Sequence, residues 1–318
     1  GYPALRELLD EAHRRQMRVV LDGVFNHCGR GFWAFHHILE NGDNSPYINW
    51  FTVQNYPLHP YPLNNEPANY ASWWNNHSLP KFNTHNPGVR DYLLFVTRYW
   101  LEFGIDGWRL DVPSEIDDDG FWREFRQVVK TANPDAYIVG EIWHPAQRWL
   151  QGDMFDAVMN YQLTAPVLNF IGADNLNLSW RHSDVTLKAG TNAADFRQGI
   201  DAMFALYDWE IHYAQMNMLD SHDMPRALWL LNNDKEALRL AVLCQMTMPG
   251  APSVYYGDEI GLSAGGDPYC REAFPWQEPL WWDQSLRQFY QQVIRVRKSY
   301  AALRTGDFAF IHAEGQVA

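Results

Sequence analysis

The chain has 318 residues, of which 47% are apolar, enough to bury one large core. Acidic residues outnumber basic ones by 38 to 25, and the net charge of -13 repels phosphate backbones and anionic lipid surfaces at long range. No apolar run approaches the roughly 18 residues of a membrane span, and the three cysteines lack the short paired spacings of disulfide scaffolds or zinc sites. We therefore expect a neutral partner, and neither nucleic acid nor a membrane.

Helical and strand patterns alternate along the chain. Residues 3–16 carry apolar side chains at helical spacing, and residues 17–22 then form a short apolar run. Similar patterns predict helices at 89–102, 121–131, 193–207, 235–247 and 284–299, and strands at 105–112, 136–143, 155–161, 216–220 and 252–256. Short strands that alternate with helices indicate parallel βαβ units.

The arrangement of polar residues favours a barrel over an open, doubly wound sheet. No glycine-rich phosphate turn follows the first predicted strand. Charged groups instead follow the C-terminal ends of several strands, where a TIM barrel has its active site. We therefore predict an α/β fold of the TIM (β/α)8 type, with about six of its eight strands present. The chain looks truncated at both ends, and we expect two strands upstream of residue 1.

The periodicity fails between residues 28 and 86, where Pro, Asn, Tyr and Trp dominate. Because structureless loops of that length are uncommon inside compact domains, we predict a small irregular insertion after an early strand. Residues 70–77 place aromatic rings beside hydrogen-bonding groups, which suits sugar rings as well as a protein core. The predicted domains are the start of the barrel segment at 1–27, the insertion at 28–86, the rest of the barrel at 87–306 and the start of a C-terminal β-domain at 307–318.

Four predicted strands share one feature: charged residues follow directly after the apolar run of each strand. The four stretches are Asp22-Gly-Val-Phe-Asn26-His27, Gly107-Trp-Arg109-Leu-Asp111, Gly140-Glu141-Ile-Trp143 and Leu219-Asp-Ser-His222-Asp223. Residues two apart in a strand share a face, so Arg109 and Asp111 point the same way. An arginine beside a carboxylate favours its ionised form, as a nucleophile requires. Taken alone, this pair fits a structural ion pair equally well.

These four stretches resemble the signature regions of the α-amylase superfamily, glycoside hydrolase family 13, in order and in spacing. The resemblance implies that Asp111 is the nucleophile, Glu141 the acid and base, and Asp223 the third carboxylate, which holds the distorted sugar ring. It also implies that Arg109 fixes Asp111, and that the histidines bind hydroxyls of the sugar being cleaved. These histidines are His27 and His222.

The chemistry of a retaining glycosidase agrees with these roles. Such an enzyme needs an ionised nucleophile and a protonated acid whose carboxyl groups lie about 5 to 5.5 Å apart, and Asp111 and Glu141 would end adjacent strands. Since Arg109 holds Asp111 ionised, we expect Glu141 to be the carboxyl that keeps a proton.

A fifth stretch, Leu79-Pro-Lys81-Phe-Asn83, resembles the Met-Pro-Lys-Leu-Asn stretch of neopullulanases, cyclomaltodextrinases and maltogenic amylases, with conservative changes at two positions. Trp143-His144 and the segment 265–271 fit the same subgroup. By this resemblance the substrate-binding residues include Lys81, Trp143, Asp267 and Arg271, the last two at outer glucose units. The expected substrates are maltodextrins, cyclodextrins or pullulan, cleaved at α-1,4 and in some cases α-1,6 bonds.

Some polar residues are predicted to have supporting roles. Asp22 matches a hydrogen-bonding residue of the family, and Asp258 matches a structural position. Asn26 matches an asparagine that ligates calcium in many α-amylases, but few acidic residues, chiefly Asp43 and Glu66, lie in the insertion. We therefore expect no required cofactor, with calcium at Asn26 left open.

Two other functions remain open from the sequence. A transferase of the same fold, such as a glucanotransferase or trehalose synthase, would use the same covalent intermediate with a sugar acceptor. A non-catalytic binding relative is also compatible with the fold, although all three carboxylates are present. The resemblance further implies a homodimer formed through a missing N-terminal domain and a cytoplasmic location, with a secretion signal left open by the missing N-terminus.

Overall fold

The computed structural model describes residues 1–62 and 66–318, which form two compact units. Unit 1 comprises Gly1–Glu141 and Gln151–Asp156, and unit 2 comprises Ile142–Leu150 and Ala157–Ala318. The predicted insertion includes residues 63–65, which lie outside the described residues. The predicted domain boundaries stay predictions.

Unit 1 alternates helices and strands, as predicted. Its elements are α1 (Tyr2–Arg14), β1 (Val20–Gly23), α2 (Trp33–Asn41), α3 (Pro87–Phe103), β2 (Gly107–Leu110), α4 (Asp119–Ala132) and β3 (Tyr137–Gly140). The side chain of Asn86 accepts hydrogen bonds from two N–H groups at the start of α3, and the side chain of Asp118 caps α4 in the same way. Helix α3 ends at Gly104, whose φ of 115° suits a residue without a Cβ.

The three strands of unit 1 are parallel, with β2 between β1 and β3. In this register Asp22 lies opposite Arg109, and Leu110 lies opposite Gly140. The strands are shorter than predicted, since the apolar run 105–112 pairs only over Gly107–Leu110. Each strand ends just before its charged residues, so Asp111 and Glu141 lie beyond the C-terminal ends of β2 and β3.

The insertion is irregular, as predicted, but it has a core of its own. Phe35 packs edge-on against Phe51 and Tyr70, and all three are buried. Isolated antiparallel bridges, including the one between His27 and Lys81, join its two ends. Helix α2 was not predicted, because its buried face is carried by only a few residues within an aromatic-rich segment.

Unit 2 contains three further parallel strands and most of the helices. Its elements are β4 (Ala157–Asn160), α5 (Tyr161–Gly172), α6 (Ala193–Phe204), α7 (Trp209–Ala214), β5 (Met216–Asn217), α8 (Ala227–Leu230), α9 (Lys235–Thr247), β6 (Ala251–Pro252), α10 (Gln284–Ser299) and α11 (Ala302–Thr305). Strand β5 pairs with β4 and with β6. Tyr161 was predicted in a strand, but it begins α5, a helix that Pro166 concealed from sequence analysis.

The C-terminal segment 307–318 forms no strand; it has a single bridge between Glu314 and Val317. Phe308 packs against Phe204 of α6, and Phe310 against Phe196 of the same helix. The C-terminal β-domain therefore stays a prediction. Within the described ranges 1–62 and 66–318, no helix has the length and apolarity needed to span a bilayer.

Candidate active site

Two carboxylates and one guanidinium lie at the C-terminal ends of β2 and β3. Arg109 in β2 lies opposite Asp22 of β1 and Val139 of β3. Asp111 follows Arg109 by two residues and Glu141 follows Val139 by two, and the N–H groups of both carboxylate residues still bond to the neighbouring strand. Because residues two apart share a face, the register directs these side chains to one side of the sheet.

Arg109 is the common ion partner of three carboxylates. Its Nη1 donates to Oδ1 of Asp22 over 2.8 Å and to Oδ1 of Asp111 over 2.9 Å. Its Nη2 lies 2.8 Å from Oε2 of Glu141, although the two groups are not aligned as a hydrogen bond. Burial lowers the pKa of Arg109, but the charges of Glu141, Asp22 and Asp111 outweigh it and raise the pKa. Arg109 is therefore a permanent cation between the predicted nucleophile and the predicted acid.

Sequence analysis predicted the contact of Arg109 with Asp111 but missed its contact with Glu141. Only the register of β2 against β3, with Arg109 opposite Val139, brings the guanidinium to Glu141. Glu141 is buried, which favours the neutral carboxyl, whereas the nearby guanidinium favours the carboxylate. These two opposing influences act on the group that is predicted to donate and then accept a proton.

The residue after Asp111 has a strained backbone. Val112 has φ 36° and ψ 49°, in the left-handed region that β-branched residues rarely adopt. Its N–H donates to Oε2 of Glu141 over 3.2 Å. Strained backbone of this kind concentrates at active sites, where the surrounding structure holds it in place.

His27 lies in the same unit and is held as a neutral ring. Its imidazole stacks on Trp73 with ring centroids 4.8 Å apart and planes 3° apart. Burial lowers the pKa of His27; the charge of Asp111 opposes this shift and that of Lys81 adds to it. A neutral imidazole suits the predicted role of binding sugar hydroxyls, because it has one donor and one acceptor nitrogen.

Lys81 lies beside His27 through the antiparallel bridge between these residues. Its Nζ donates to the backbone oxygen of Glu115 over 3.0 Å and to Oε2 of the same residue over 3.4 Å. Glu115 follows Asp111 by four residues, so this ion pair links the insertion to the loop after β2. Its role in substrate binding stays a prediction.

Asn26 does not lie in a recognisable metal cage. Its Nδ2 lies 3.2 Å from Nδ1 of His27, and its buried Oδ1 has no hydrogen-bond partner among the described residues. Across residues 1–62 and 66–318, no three His, Cys, Asp or Glu side chains form a group that could hold a metal ion. These observations do not supply the acidic ligands that a calcium site usually needs, and calcium at Asn26 stays the open alternative to the expectation of no required cofactor.

In unit 2 the structure gathers the other predicted residues around Arg271. Its Nη2 donates to Oδ1 of Asp223 over 2.8 Å, and its Nε donates to the backbone oxygen of His222 over 2.9 Å. The same Nε lies 2.8 Å from Oδ1 of Asp267, and Nε2 of His222 lies 3.0 Å from Oδ2 of Asp223. Arg271, predicted to contact outer glucose units, is thus also the cation that orients the predicted third carboxylate.

A buried charge cluster supports the loop that carries His222 and Asp223. Asp220 accepts a hydrogen bond from the N–H of Ala227 over 2.6 Å, which closes this loop. Nη1 of the fully buried Arg226 lies 3.0 Å from Oδ1 of Asp258. Burial raises the pKa of Asp220; burial and the charge of Asp220 raise that of Asp258 further. The predicted structural role of Asp258 agrees with this position.

Trp143 is part of an aromatic stack in unit 2. Tyr161 covers one side of its indole, with ring centroids 3.8 Å apart, and His182 stacks on it with a centroid distance of 4.1 Å. Its backbone oxygen accepts from Nε2 of Gln162 over 2.8 Å. Sequence analysis did not identify His182, because it lies in a long segment without periodicity.

The sequence matches the α-amylase catalytic-domain family over residues 2–278, most of the chain. The chain belongs to the α-amylase family. This membership agrees with the four strand-end stretches and with parallel strands whose C-terminal ends carry the charged groups. The α/β fold of the TIM-barrel type predicted from the sequence is therefore confirmed.

The relatives of this α-amylase family chain include enzymes of the predicted subgroup. It is 45% identical to a cyclomaltodextrinase from Bacillus sp., over 98% of this chain and 52% of the relative. It is 41% identical to neopullulanase 2 of Thermoactinomyces vulgaris, over 99% of this chain and 50% of the relative. The chain spans about half the length of the curated relatives it matches.

The chain is also similar in fold and sequence to solved structures of enzymes. The native debranching enzyme of Nostoc punctiforme superimposes with a TM-score of 0.95 and 47% identity, over 99% of this chain and 65% of that one. The cyclic α-maltosyl-(1→6)-maltose hydrolase of Arthrobacter globiformis gives a TM-score of 0.86 and 39% identity, over 95% of this chain and 64% of that one.

Proposed function

We propose that this α-amylase family chain hydrolyses α-glucosidic bonds of maltodextrins, cyclodextrins or pullulan with retention of the anomeric configuration. The observation that carries the proposal is the position of Arg109 between two carboxylates, with Nη1 on Asp111 and Nη2 beside Glu141. Two carboxyl groups that share one guanidinium can act on the same glycosidic bond, as glycosidases with a carboxyl pair require, and the family resemblance favours the retaining form.

In this mechanism an Asp111 oxygen attacks the anomeric carbon of the glucose unit, and the bond to the leaving oxygen breaks. Glu141 gives its proton to that oxygen, so the departing sugar leaves as a neutral alcohol. The glucosyl unit is then esterified to Asp111. Glu141, now a carboxylate, takes a proton from water, whose oxygen attacks the same carbon and releases Asp111. Two displacements on opposite faces retain the configuration.

The surrounding residues supply a positive charge beside the nucleophile and orient the sugar and the third carboxylate. Arg109 keeps a positive charge beside Asp111, which lowers the free energy of the carboxylate in the free enzyme and at its release. Neutral His27 hydrogen-bonds a hydroxyl of the sugar, and Arg271 orients Asp223 for the ring that becomes planar at the transition state. The retaining chemistry and these assignments rest on the geometry within each unit and on the family resemblance.

The substrate class rests on the relatives. Proteins similar to this chain are named cyclomaltodextrinase, neopullulanase and maltogenic α-amylase. One similar structure is a hydrolase of a cyclic maltosyl-maltose that contains a 1→6 linkage. We therefore propose that both α-1,4 and α-1,6 bonds of short or cyclic glucans are cleaved.

The location and assembly of the protein are also proposals. Similar proteins include an intracellular maltogenic amylase of Bacillus subtilis, which supports a cytoplasmic location. The proposed homodimer rests on the resemblance alone.

The experiment that tests the proposal is product analysis with γ-cyclodextrin, pullulan, soluble starch and maltotriose, with Glu141→Gln as the inactive control. We expect maltose from cyclodextrin and panose from pullulan, at rates above those on starch. Longer transfer products would favour the glucanotransferase alternative. No turnover from a folded protein that still binds these sugars would favour the non-catalytic alternative.

A further inference from the structure

Two adjacent tryptophans in the insertion are not used by the proposed mechanism, and one of them lies open to solvent. Trp73 stacks on His27 on one side, and its ring centroid lies 4.7 Å from that of Trp74, with planes 23° apart. The side chain of Trp74 is 80% exposed, although large aromatic rings gain free energy from burial. Trp73 thus contacts both the predicted sugar-binding histidine and an exposed indole.

The backbone at Trp74 is strained. Trp74 has φ 50° and ψ 34°, and the next residue, Asn75, has φ 57°. Bulky residues rarely adopt this left-handed region, where Cβ approaches the backbone. The exposed ring recovers little packing energy in return, apart from its stack on Trp73. Strained backbone at an exposed aromatic residue therefore points to a function rather than to stability.

The turn that carries the two rings is well supported by hydrogen bonds. The N–H of Trp73 donates to the backbone oxygen of Leu79 over 2.9 Å. Oδ1 of Asn76 accepts from the N–H and from the hydroxyl of Ser78, over 3.0 and 2.8 Å. These bonds hold the backbone of the turn in place before any ligand binds, which limits the conformational entropy lost on binding.

A hydrogen-bonding group lies next to the open ring. The exposed side chain of Asn75 makes no hydrogen bond to any residue in the described part of the chain. Its amide has two donors and one acceptor oxygen. A flat apolar face with a free amide at its rim matches a pyranose ring, which has apolar C–H faces bordered by hydroxyls.

We propose that Trp74 is a stacking site for an outer glucose unit of an α-glucan, with the Asn75 amide bonding the hydroxyls of that unit. The inference rests on the proposed function, and it assigns the insertion a share in substrate binding. A glucan reaches Trp74 only when it extends beyond the unit that His27 binds. The site thereby favours oligosaccharides over a single glucose unit.

The test measures binding of maltoheptaose and glucose by calorimetry in the Glu141→Gln protein, which does not consume them. Trp74→Asn removes the ring and places at this position a residue that tolerates the left-handed backbone. We expect the Kd for maltoheptaose to rise about three- to tenfold, the size of one aromatic stacking contact. The Kd for glucose, which cannot contact both His27 and Trp74, should change much less, and Trp74→Phe should restore most of the affinity for maltoheptaose.

Two further measurements separate a binding role from a structural one. Because Trp74→Asn relieves strain, its thermal midpoint should equal or exceed that of the parent protein while its glucan affinity falls. The matched control is Phe95→Asn in the same unit, since Phe95 is a 53% exposed aromatic residue of α3 that is not stacked on Trp73 or Trp74.

Unchanged binding of maltoheptaose by Trp74→Asn would overturn the inference and leave the proposed function intact. An equal loss of affinity in Phe95→Asn would overturn it as well. Failure of the Glu141→Gln protein with intact Trp74 to bind either sugar would instead reject the proposed function, and the inference with it.

Discussion

Nη2 of Arg109 lies 2.8 Å from Oε2 of Glu141, while Nη1 of the same guanidinium donates to Asp111. The cation therefore acts on both members of the proposed catalytic pair. It stabilises Asp111 as a nucleophile and also stabilises the ionised form of Glu141, against the effect of burial. Stability and catalysis should both depend on it.

Replacing Arg109 by Met should destabilise the fold and abolish turnover. The change leaves Asp111 and the buried Glu141 without a counter-charge, and loss of one partner of a buried ion pair costs about 3–5 kcal/mol. Urea denaturation gives the stability and cyclodextrin hydrolysis the rate. Arg109→Lys is the control, because one ammonium cannot contact both carboxylates and should restore stability more than activity. Full activity in Arg109→Met would contradict the assigned role.

Replacing Glu141 by Gln should lower kcat by about 10²- to 10⁴-fold, the usual contribution of general acid–base catalysis. The amide keeps the volume of the side chain and removes its titratable proton. The loss should be much smaller on α-maltosyl fluoride, whose leaving group needs no proton for its departure. Equal losses on maltotriose and on the fluoride would argue against an acid role for Glu141.

Replacing Arg271 by Met should reduce kcat/KM by about tenfold, because Asp223 loses the donor that orients it. Both side chains are partly exposed, so the free energy of unfolding should fall by less than about 1 kcal/mol. Steady-state kinetics on maltotriose and on maltoheptaose provide the test. If only the KM for maltoheptaose rises, Arg271 contacts an outer glucose unit and does not act through Asp223.

The lowered pKa of His27 predicts a pH-dependent stability. The folded state favours the neutral imidazole of His27. In the unfolded state the ring has its ordinary pKa of about 6.5, so below that pH the unfolded chain binds a proton that the folded chain does not. Stability is complete above that pH and falls as the pH drops towards the lowered folded value. His27→Asn should reduce this slope between pH 7 and 5 in urea denaturation; the buried His212, whose pKa is also lowered, should account for part of the rest. The exposed His144→Asn serves as control, and an unchanged slope in His27→Asn would contradict the prediction.

The buried pair of Asp220 and Asp258 predicts the opposite dependence. Burial and the charge of Asp220 raise the pKa of Asp258, so the folded state retains a proton that the unfolded state releases. The free energy of unfolding gained from this proton is present at low pH. It is lost as the pH rises through the raised pKa of Asp258 in the folded state. Asp258→Asn should flatten this loss in denaturation measured from about pH 4, the ordinary pKa of an aspartate, upward. Asp258→Ala should cost about 1–3 kcal/mol more than Asp258→Asn, since it also removes the oxygen that accepts a hydrogen bond from the buried Arg226. Equal stability of the two variants would contradict this account.

Helices with clear local signals were predicted well from the sequence. The predicted bounds of α9 and α10 agree with the structure, because Asp234 and Asp283 cap their first turns and apolar residues recur on one face. Helix α5 was missed, since Pro166 interrupts its pattern and an apolar run leads into it. Local patterns thus predicted the elements that local interactions determine.

The sequence predicts candidate site residues but not the contacts among them. The four strand ends identified the charged groups, yet the ion pair of Arg109 with Glu141 depends on the register of β2 and β3. The stack of His182 on Trp143 and the left-handed backbone at Trp74 depend on how distant or irregular segments fold. A single sequence carries no local signal for either.

The measurement that tests the central claim most directly is proton NMR of the first maltose released from γ-cyclodextrin, recorded before mutarotation. The account predicts the α anomer, because Asp111 and water displace at the same carbon in succession. Release of the β anomer would contradict the covalent role of Asp111 and the retaining mechanism.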